Sequence, residues 1–171
     1  MEIWDIYDRC MNKTGRTHAR GADLPEGDYH LTVHIWPYDE SGRVLIQKRS
    51  ETVQFHPGKW APTGGSVLAG ETMYVGMRRE LCEELGIDAD KCEKTLLFVR
   101  KRENSFLGVY IIAVKDSDKT GIALQKEEVA DIKWVTKDEL SEMISSDNFF
   151  LRINYTDILF NEIGQTFNKE T

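Results

Sequence analysis

The chain has 171 residues, of which 40% are hydrophobic and 30% are charged, a composition typical of one soluble globular domain. Its formal net charge of −7 argues against general nucleic-acid binding, because the phosphate backbone would be repelled. No segment approaches the roughly 18 consecutive apolar residues of a membrane helix, and residues 1–5 lack the basic and apolar regions of a signal peptide, so we expect a cytoplasmic protein without a membrane partner.

Strands and helices alternate along the sequence. Runs of β-branched and aromatic residues bounded by turn residues predict strands at residues 3–7, 30–38, 44–48, 60–62, 95–101, 106–114 and 132–135. The turn at residues 40–42 predicts that the second and third strands form a hairpin. Helical periodicity predicts helices at residues 72–85, 137–144 and 156–167. We expect an α/β fold with helices on both faces of a mixed sheet, as one domain over residues 1–171 with residues 1–28 as an N-terminal extension packed on it.

The cysteines of the chain predict no covalent cross-link. Cys10, Cys82 and Cys92 are odd in number and show neither CxxC nor Cys/His spacing. We therefore expect reduced thiols and no zinc site.

The helix predicted at residues 72–85 ends with carboxylates where a helix favours cations. Glu83 and Glu84 lie in its last turn, and together with Glu80 they fall within an arc of about 100° beside an apolar stripe. Like charges at these spacings repel each other, and two of the three oppose the helix dipole. A solvated acidic face is one interpretation. The other is a site for Mg²⁺ or Mn²⁺, which prefer hard oxygen ligands.

Glycines surround this acidic face. Gly76 lies within the same arc, one turn before Glu80, and a glycine there predicts either close packing or room for a ligand. Gly64 and Gly65 precede the helix, where glycine allows a sharp turn and a close approach of the backbone to a phosphate.

A longer motif contains these residues. Residues 65–87 read G-x5-E-x7-R-E-U-x-E-E-x-G-U, where U is apolar, with Gly65, Glu71, Arg79, Glu80, Leu81, Glu83, Glu84, Gly86 and Ile87 at the fixed positions. This segment, Gly65–Ile87, resembles the Nudix box. The order of predicted strands and helices is also similar to the Nudix α/β/α sandwich with its central mixed β-sheet.

The resemblance implies hydrolysis of a diphosphate linked to another moiety, typically a nucleoside (NDP-X), with Mg²⁺ or Mn²⁺ as cofactor. By motif position Glu80, Glu83 and Glu84 are the implied metal ligands, and Glu84 or a nearby acid is the base that activates water. Glu83 and Arg79 complete the implied catalytic group, with Arg79 paired to Glu71 in a supporting ion pair that orients a glutamate.

Residues outside the box extend the implied site. Many such enzymes add an acid from a loop, and Glu127 and Glu128 are the candidates here, of which Glu128 is favoured. Two solvated loop acids are the alternative. Substrate contacts are expected at Gly64, Gly65 and Arg49, and the partner is expected to be a small-molecule diphosphate. The sequence is compatible with a monomer or a homodimer.

Two alternative functions follow from the same sequence. Residues 2–8 and 44–50 are similar to the branch that includes isopentenyl diphosphate isomerase, but residues 60–65 lack that family's active-site cysteine and residues 104–112 lack its acidic metal ligands. A catalytically silent nucleotide-binding module would show a broken box, whereas this box is intact. Hydrolysis is therefore the predicted activity.

Overall fold

The computed structural model describes residues 2–168. Within that range the strands are β1 (Ile3–Tyr7), β2 (Lys13–Ala19), β3 (His30–Tyr38), β4 (Val44–Arg49), β5 (Trp60–Ala61), β6 (Thr63–Ser66), β7 (Lys94–Lys101), β8 (Ser105–Ala113) and β9 (Val129–Val135). The α-helices are α1 (Met73–Leu85), α2 (Lys137–Ser145) and α3 (Thr156–Asn168). None of the helices in this range is long and apolar enough to cross a membrane.

The central sheet is mixed. Its strand order is β5-β4-β3-β8-β7, with β6 also paired to β3 and β9 also paired to β4. The long central pair, β3 and β8, is parallel, and the other pairs are antiparallel. β1 and β2 form a separate antiparallel ribbon. The predicted α/β fold with a mixed sheet is confirmed.

Helices cover both faces of this sheet. On one face α1 packs Met77, Leu81 and Leu85 against one set of strand residues. On the other face Leu140 of α2 and Leu159 of α3 pack against the opposite set. Side chains alternate between the two faces along each strand, so one strand contributes to both clusters. The result is the predicted three-layer sandwich.

Three local features differ from the prediction. β2 was not predicted, because its sequence KTGRTHA has no apolar alternation, and most of its residues are exposed. β6 occupies residues that the sequence indicates only as a glycine loop. The predicted hairpin between β3 and β4 is paired only at Tyr38 and Val44, because β6 pairs with β3 from Thr32 to Ile35 and the two hairpin strands diverge.

Candidate active site

Helix α1 positions the acidic residues. Its N-terminus is capped by Thr72, whose side chain accepts a hydrogen bond from the Val75 amide, and its C-terminus ends at Gly86 with a left-handed φ of 68°. The buried stripe of Met77 and Leu81 fixes the rotation of the helix about its axis. The acidic face beside that stripe is therefore held against the sheet.

Glu84 is the most deeply buried acid of this face. Its side chain is 2% exposed. Its Oε2 atom accepts two hydrogen bonds, one from Gln47 Nε2 at 3.0 Å and one from the Gly64 amide at 3.2 Å. Its Oε1 atom has no hydrogen-bond partner among residues 2–168. One oxygen thus fixes the carboxylate and the other is available to a ligand.

Gln47 is a supporting residue that the sequence did not predict. It lies on β4 in the apolar run VLIQKR, on the face where Leu45 packs toward α1. Its Oε1 atom accepts a hydrogen bond from Thr63 Oγ1 at 3.0 Å, which orients the amide so that Nε2 donates to Glu84. A fully buried polar side chain inside an apolar strand is the signal that could have identified it.

Arg79 holds the remaining acids together. Its Nε and Nη2 atoms donate to both oxygens of Glu71 at 2.8 and 3.1 Å, and Nη2 also donates to the Ser66 carbonyl at 2.9 Å. Its Nη1 atom donates to Glu80 at 2.9 Å and to Glu83 at 3.0 Å. The structure thus brings Arg79 and Glu71 together as the sequence predicts and places Glu83 at the exposed rim.

Burial and crowding of charge perturb two of the acids. Burial raises the pKa of Glu80 to about 7, although the neighbouring Arg79 opposes this shift. Burial also raises the pKa of Glu84 to about 8, and the negative charge of Glu80 raises it further. The two carboxylates thus disfavour each other's ionisation, and Arg79 offsets part of this effect at Glu80.

Glu128 lies near this pair. Its backbone carbonyl accepts a hydrogen bond from the Ser50 amide, which anchors its loop beside β4. The side chain is exposed, and its negative charge contributes to the raised pKa values of both Glu80 and Glu84. Glu127 contacts Thr52 through its backbone carbonyl. The geometry thus favours Glu128 over Glu127, and its catalytic role stays a prediction.

The two glycines before α1 shape the floor of the site. The Gly64 amide donates to Glu84, and a Cβ atom at Gly64 would lie 2.1 Å from the Val33 carbonyl oxygen. At Gly65 a Cβ atom would lie 2.3 Å from Glu80 Oε1. Gly64 therefore allows β6 to lie close to β3, and Gly65 leaves room for the Glu80 carboxylate. Their contact with substrate stays a prediction.

Arg49 and Gly76 occupy different surroundings. Arg49 lies two residues after Gln47 on β4, and its Nε atom donates to the Phe55 carbonyl at 2.8 Å. At Gly76 a Cβ atom would lie 3.0 Å from Val67 Cγ2 and 3.4 Å from Glu71 Oε2. Of the two interpretations of Gly76, the structure favours close packing. Val67 and Glu71 fill the space that the other interpretation assigned to a ligand.

The donor set fits a hard divalent cation. Glu84 is buried and Glu80, one helical turn before it, is partly buried, and magnesium and manganese prefer such carboxylate oxygens. Between residues 2 and 168 no three His, Cys, Asp or Glu side chains are already gathered as a metal site, and Arg79 contacts Glu80 and Glu83. Glu80 and Glu84 could hold a metal ion, with Glu83 as the third candidate ligand.

Known proteins resemble this chain in sequence and in fold. The family model described as NUDIX domain matches residues 28–152. An uncharacterized Nudix hydrolase of Listeria monocytogenes is 40% identical over 150 residues, which cover 87% of this chain and 88% of the relative. Nudix hydrolase 3 of Arabidopsis thaliana is 32% identical over 86% of this chain and 21% of its own length. The crystal structure of DR0079 from Deinococcus radiodurans matches the fold with a TM-score of 0.75 at 21% identity, covering 86% of this chain and 91% of that one.

Proposed function

Given that the chain belongs to the Nudix hydrolase family, we propose that it hydrolyses a diphosphate linkage in a nucleoside diphosphate-type (NDP-X) or related small molecule, with Mg²⁺ or Mn²⁺ as cofactor. One observation carries the proposal. The buried Glu84 carboxylate is held by Gln47 and Gly64 beside Glu80, and its Oε1 atom has no partner among residues 2–168. Such an arrangement costs stability unless a cation binds to it.

The acids of α1 divide into two roles. Glu80 and Glu84 would hold the metal ion from the buried side, and Glu83 would join them from the rim. When bound, such an ion neutralises the charge of a diphosphate and lowers the pKa of water. Arg79 and Glu71 would be positioning residues, because they bond to each other and Arg79 bonds to Glu80 and to the Ser66 carbonyl.

The residue that accepts the proton of the attacking water is either Glu84 or Glu128. Glu84 has its Oε1 atom free among residues 2–168, and its Oε2 atom is fixed by two donors. Glu128 is exposed on a loop close enough to influence both buried glutamates. A general base must reach the water it deprotonates, so the two acids are distinguished by which substitution removes turnover.

The substrate would lie between this site and the edge of the sheet. Gly64 and Gly65 form the floor beside the glutamates, and Arg49 lies on the same face of β4 as Gln47, since alternate residues of a strand share a face. Its guanidinium group would bind a phosphate of the substrate.

The deciding experiment follows the oxygen atoms. The protein is incubated in ¹⁸O-water with Mg²⁺ or Mn²⁺ and a panel of NDP-sugars, dinucleoside polyphosphates and prenyl diphosphates. We expect ¹⁸O in a released phosphate group for one class of compound, and no turnover by the Glu84→Gln variant. Solvent deuterium in the carbon skeleton of isopentenyl diphosphate without phosphate release would show the isomerase reaction and overturn the proposal.

A further inference from the structure

The ribbon of β1 and β2 contacts the loop that leads into α1. The Ala69 amide of this loop donates to the Ile3 carbonyl of β1 at 2.7 Å. The next amide, that of Gly70, donates to Oδ2 of the Asp5 side chain at 2.6 Å. Ala69 and Gly70 are themselves exposed. Two consecutive amides at the exposed tip of the loop are thus bound to β1.

Asp5 is a buried carboxylate in this two-stranded ribbon. The residue is 8% exposed, and its Oδ2 atom also accepts a hydrogen bond from Lys13 Nζ of β2 at 2.7 Å. A buried charge costs stability unless it is paired, and Lys13 supplies the opposite charge. One carboxylate oxygen therefore connects β1, β2 and the loop.

The ribbon is in turn fixed to the central sheet. Tyr7 and Tyr29 exchange two backbone hydrogen bonds, at 2.7 and 3.0 Å, directly before β3 begins. The Trp4 ring stacks on the His30 ring of β3 with centroids 4.0 Å apart. β1 is therefore fixed relative to the sheet, and Asp5 fixes the loop to β1.

The loop forms a turn that determines the place of Glu71. The Glu71 amide donates to the Leu68 carbonyl at 3.0 Å, and Gly70 within this turn has a left-handed φ of 85°. In the opposite direction, the Leu68 amide donates to Glu71 Oε2 at 2.9 Å. The backbone of the turn and the Glu71 carboxylate thus hold each other, so a displacement of the turn also displaces the carboxylate.

Glu71 in turn determines the place of the Arg79 guanidinium group. Nε and Nη2 of Arg79 donate to the two oxygens of Glu71 at 2.8 and 3.1 Å. The third nitrogen, Nη1, donates to Glu80 at 2.9 Å and to Glu83 at 3.0 Å. A guanidinium group is planar and rigid, so fixing two of its nitrogens also fixes the third. The carboxylates of Glu80 and Glu83 therefore depend on the place of Glu71.

We propose that Asp5 is a positioning residue for the metal ligands Glu80 and Glu83, acting through the turn at residues 68–71 and the pair of Glu71 and Arg79. The inference rests on the proposed function, because the two glutamates are ligands only in that function. It makes the N-terminal ribbon a part of the structure that the active site requires.

Removing the Asp5 carboxylate releases the turn. The Gly70 amide loses its acceptor, and the turn and Glu71 are no longer bound to β1 through Asp5. Arg79 is then less constrained by Glu71 and closes on Glu80 and Glu83, where it competes with a cation for the same oxygens. The affinity for the metal ion falls, although Asp5 contacts none of its ligands within residues 2–168.

Hydrogen exchange tests the first step without metal and without substrate. Exchange of the amides of residues 67–71 is compared in wild type, Asp5→Ala and Asp5→Asn. We expect about tenfold faster exchange at Gly70 in Asp5→Ala, because its hydrogen bond is lost. The side-chain oxygen of Asn can take the place of Oδ2 and accept from both Gly70 and Lys13, so Asp5→Asn should exchange as slowly as wild type. Exchange of the β3 and β8 amides reports whether each variant is folded.

Titration with Mn²⁺ in the absence of substrate tests the second step. Groups that orient metal ligands without touching the metal typically change its affinity about 10- to 100-fold when removed, so we expect at least about tenfold weaker binding by Asp5→Ala. Asp5→Asn should bind within about twofold of wild type. If Asp5→Ala does not fold, Asp5→Ser replaces it, because its hydroxyl ends one bond short of the Oδ2 position and cannot replace the hydrogen bond to Gly70.

The matched control is Asp28→Ala. Asp28 pairs with Arg16 of β2 as Asp5 pairs with Lys13, but none of its side-chain bonds within residues 2–168 involves the loop, so this variant should bind Mn²⁺ as wild type does. Wild-type exchange at Gly70 or wild-type Mn²⁺ affinity in Asp5→Ala would overturn the proposal, as would an equal loss of affinity in Asp28→Ala. Because neither measurement involves turnover, a wild-type protein that hydrolyses no compound of the panel would refute the proposed function and leave these comparisons unchanged.

Discussion

Replacing Gly65 with alanine tests whether the position of the Glu80 carboxylate limits activity. A Cβ atom at Gly65 would lie 2.3 Å from Glu80 Oε1 and 2.5 Å from its Cδ, whereas ordinary contact begins at 3.4 Å. The carboxylate must therefore move by about 1 Å, a displacement that can cost about 100-fold in rate. The backbone need not move, because the obstructing group is the end of a flexible side chain.

We expect Gly65→Ala to lose about 100-fold in kcat/KM and less than about 1 kcal/mol in the free energy of unfolding. Hydrolysis is measured at saturating Mg²⁺, the affinity for Mn²⁺ by titration, and stability by urea unfolding. The affinity for Mn²⁺ should fall as well, because Glu80 is a proposed ligand. Activity and stability thus separate at one position.

Two other glycines provide the controls. Gly164 lies in α3, where an added Cβ atom meets nothing within 4 Å, so Gly164→Ala should keep full activity and gain up to about 1 kcal/mol. Gly64→Ala would place its Cβ 2.1 Å from the Val33 carbonyl oxygen at a φ of +150°, so it should be strongly destabilised. The reasoning is refuted if Gly65→Ala retains wild-type kcat/KM and Mn²⁺ affinity, or if it loses as much stability as Gly64→Ala.

Three further substitutions test other parts of the site. Glu84→Gln should abolish hydrolysis without lowering metal-free stability, because the amide oxygen can accept the hydrogen bonds of Gln47 and Gly64 and the amide cannot ionise in its buried site. In thermal melts its Mn²⁺-induced stabilisation should be smaller than the roughly 2.7 kcal/mol expected for wild type at a hundredfold excess over Kd. Gln47→Leu should cost about 1–3 kcal/mol in urea unfolding and lower kcat, because it leaves the Thr63 hydroxyl without an acceptor; wild-type kcat would show that Gln47 does not position Glu84. Gly76→Ala should cost about 1–3 kcal/mol through its contact with Val67, and unchanged stability would contradict the packing role.

The sequence predicted helix α1 well because its signals are local. Thr72 at the N-cap, Gly86 after the last turn and the apolar stripe between them all agree on one helix. The resemblance to the Nudix box also implied that Arg79 pairs with Glu71, eight residues apart, and the structure shows that contact. Properties determined by one helix and the loop before it can be derived from neighbouring residues.

The parts that were missed depend on contacts between distant segments. Gln47 reaches Glu84 only because β4 and α1 pack face to face, and the sequence alone shows a single polar residue in an apolar strand. β6 can pair with β3 because β4 pairs with β3 only at Tyr38 and leaves the rest of that strand edge free. The two glycines of β6 have low strand propensity, so the sequence did not indicate this strand.

The Arg79 guanidinium group has a consequence for how the protein acquires its cofactor. It makes five hydrogen bonds, and three of its partners are carboxylates of one site. The acids are thus partly neutralised within the polypeptide itself, so the chain can reach its native state before any metal arrives. Zinc fingers differ, because they remain unfolded until the ion binds. Chelation should accordingly switch this enzyme off reversibly and leave its architecture intact.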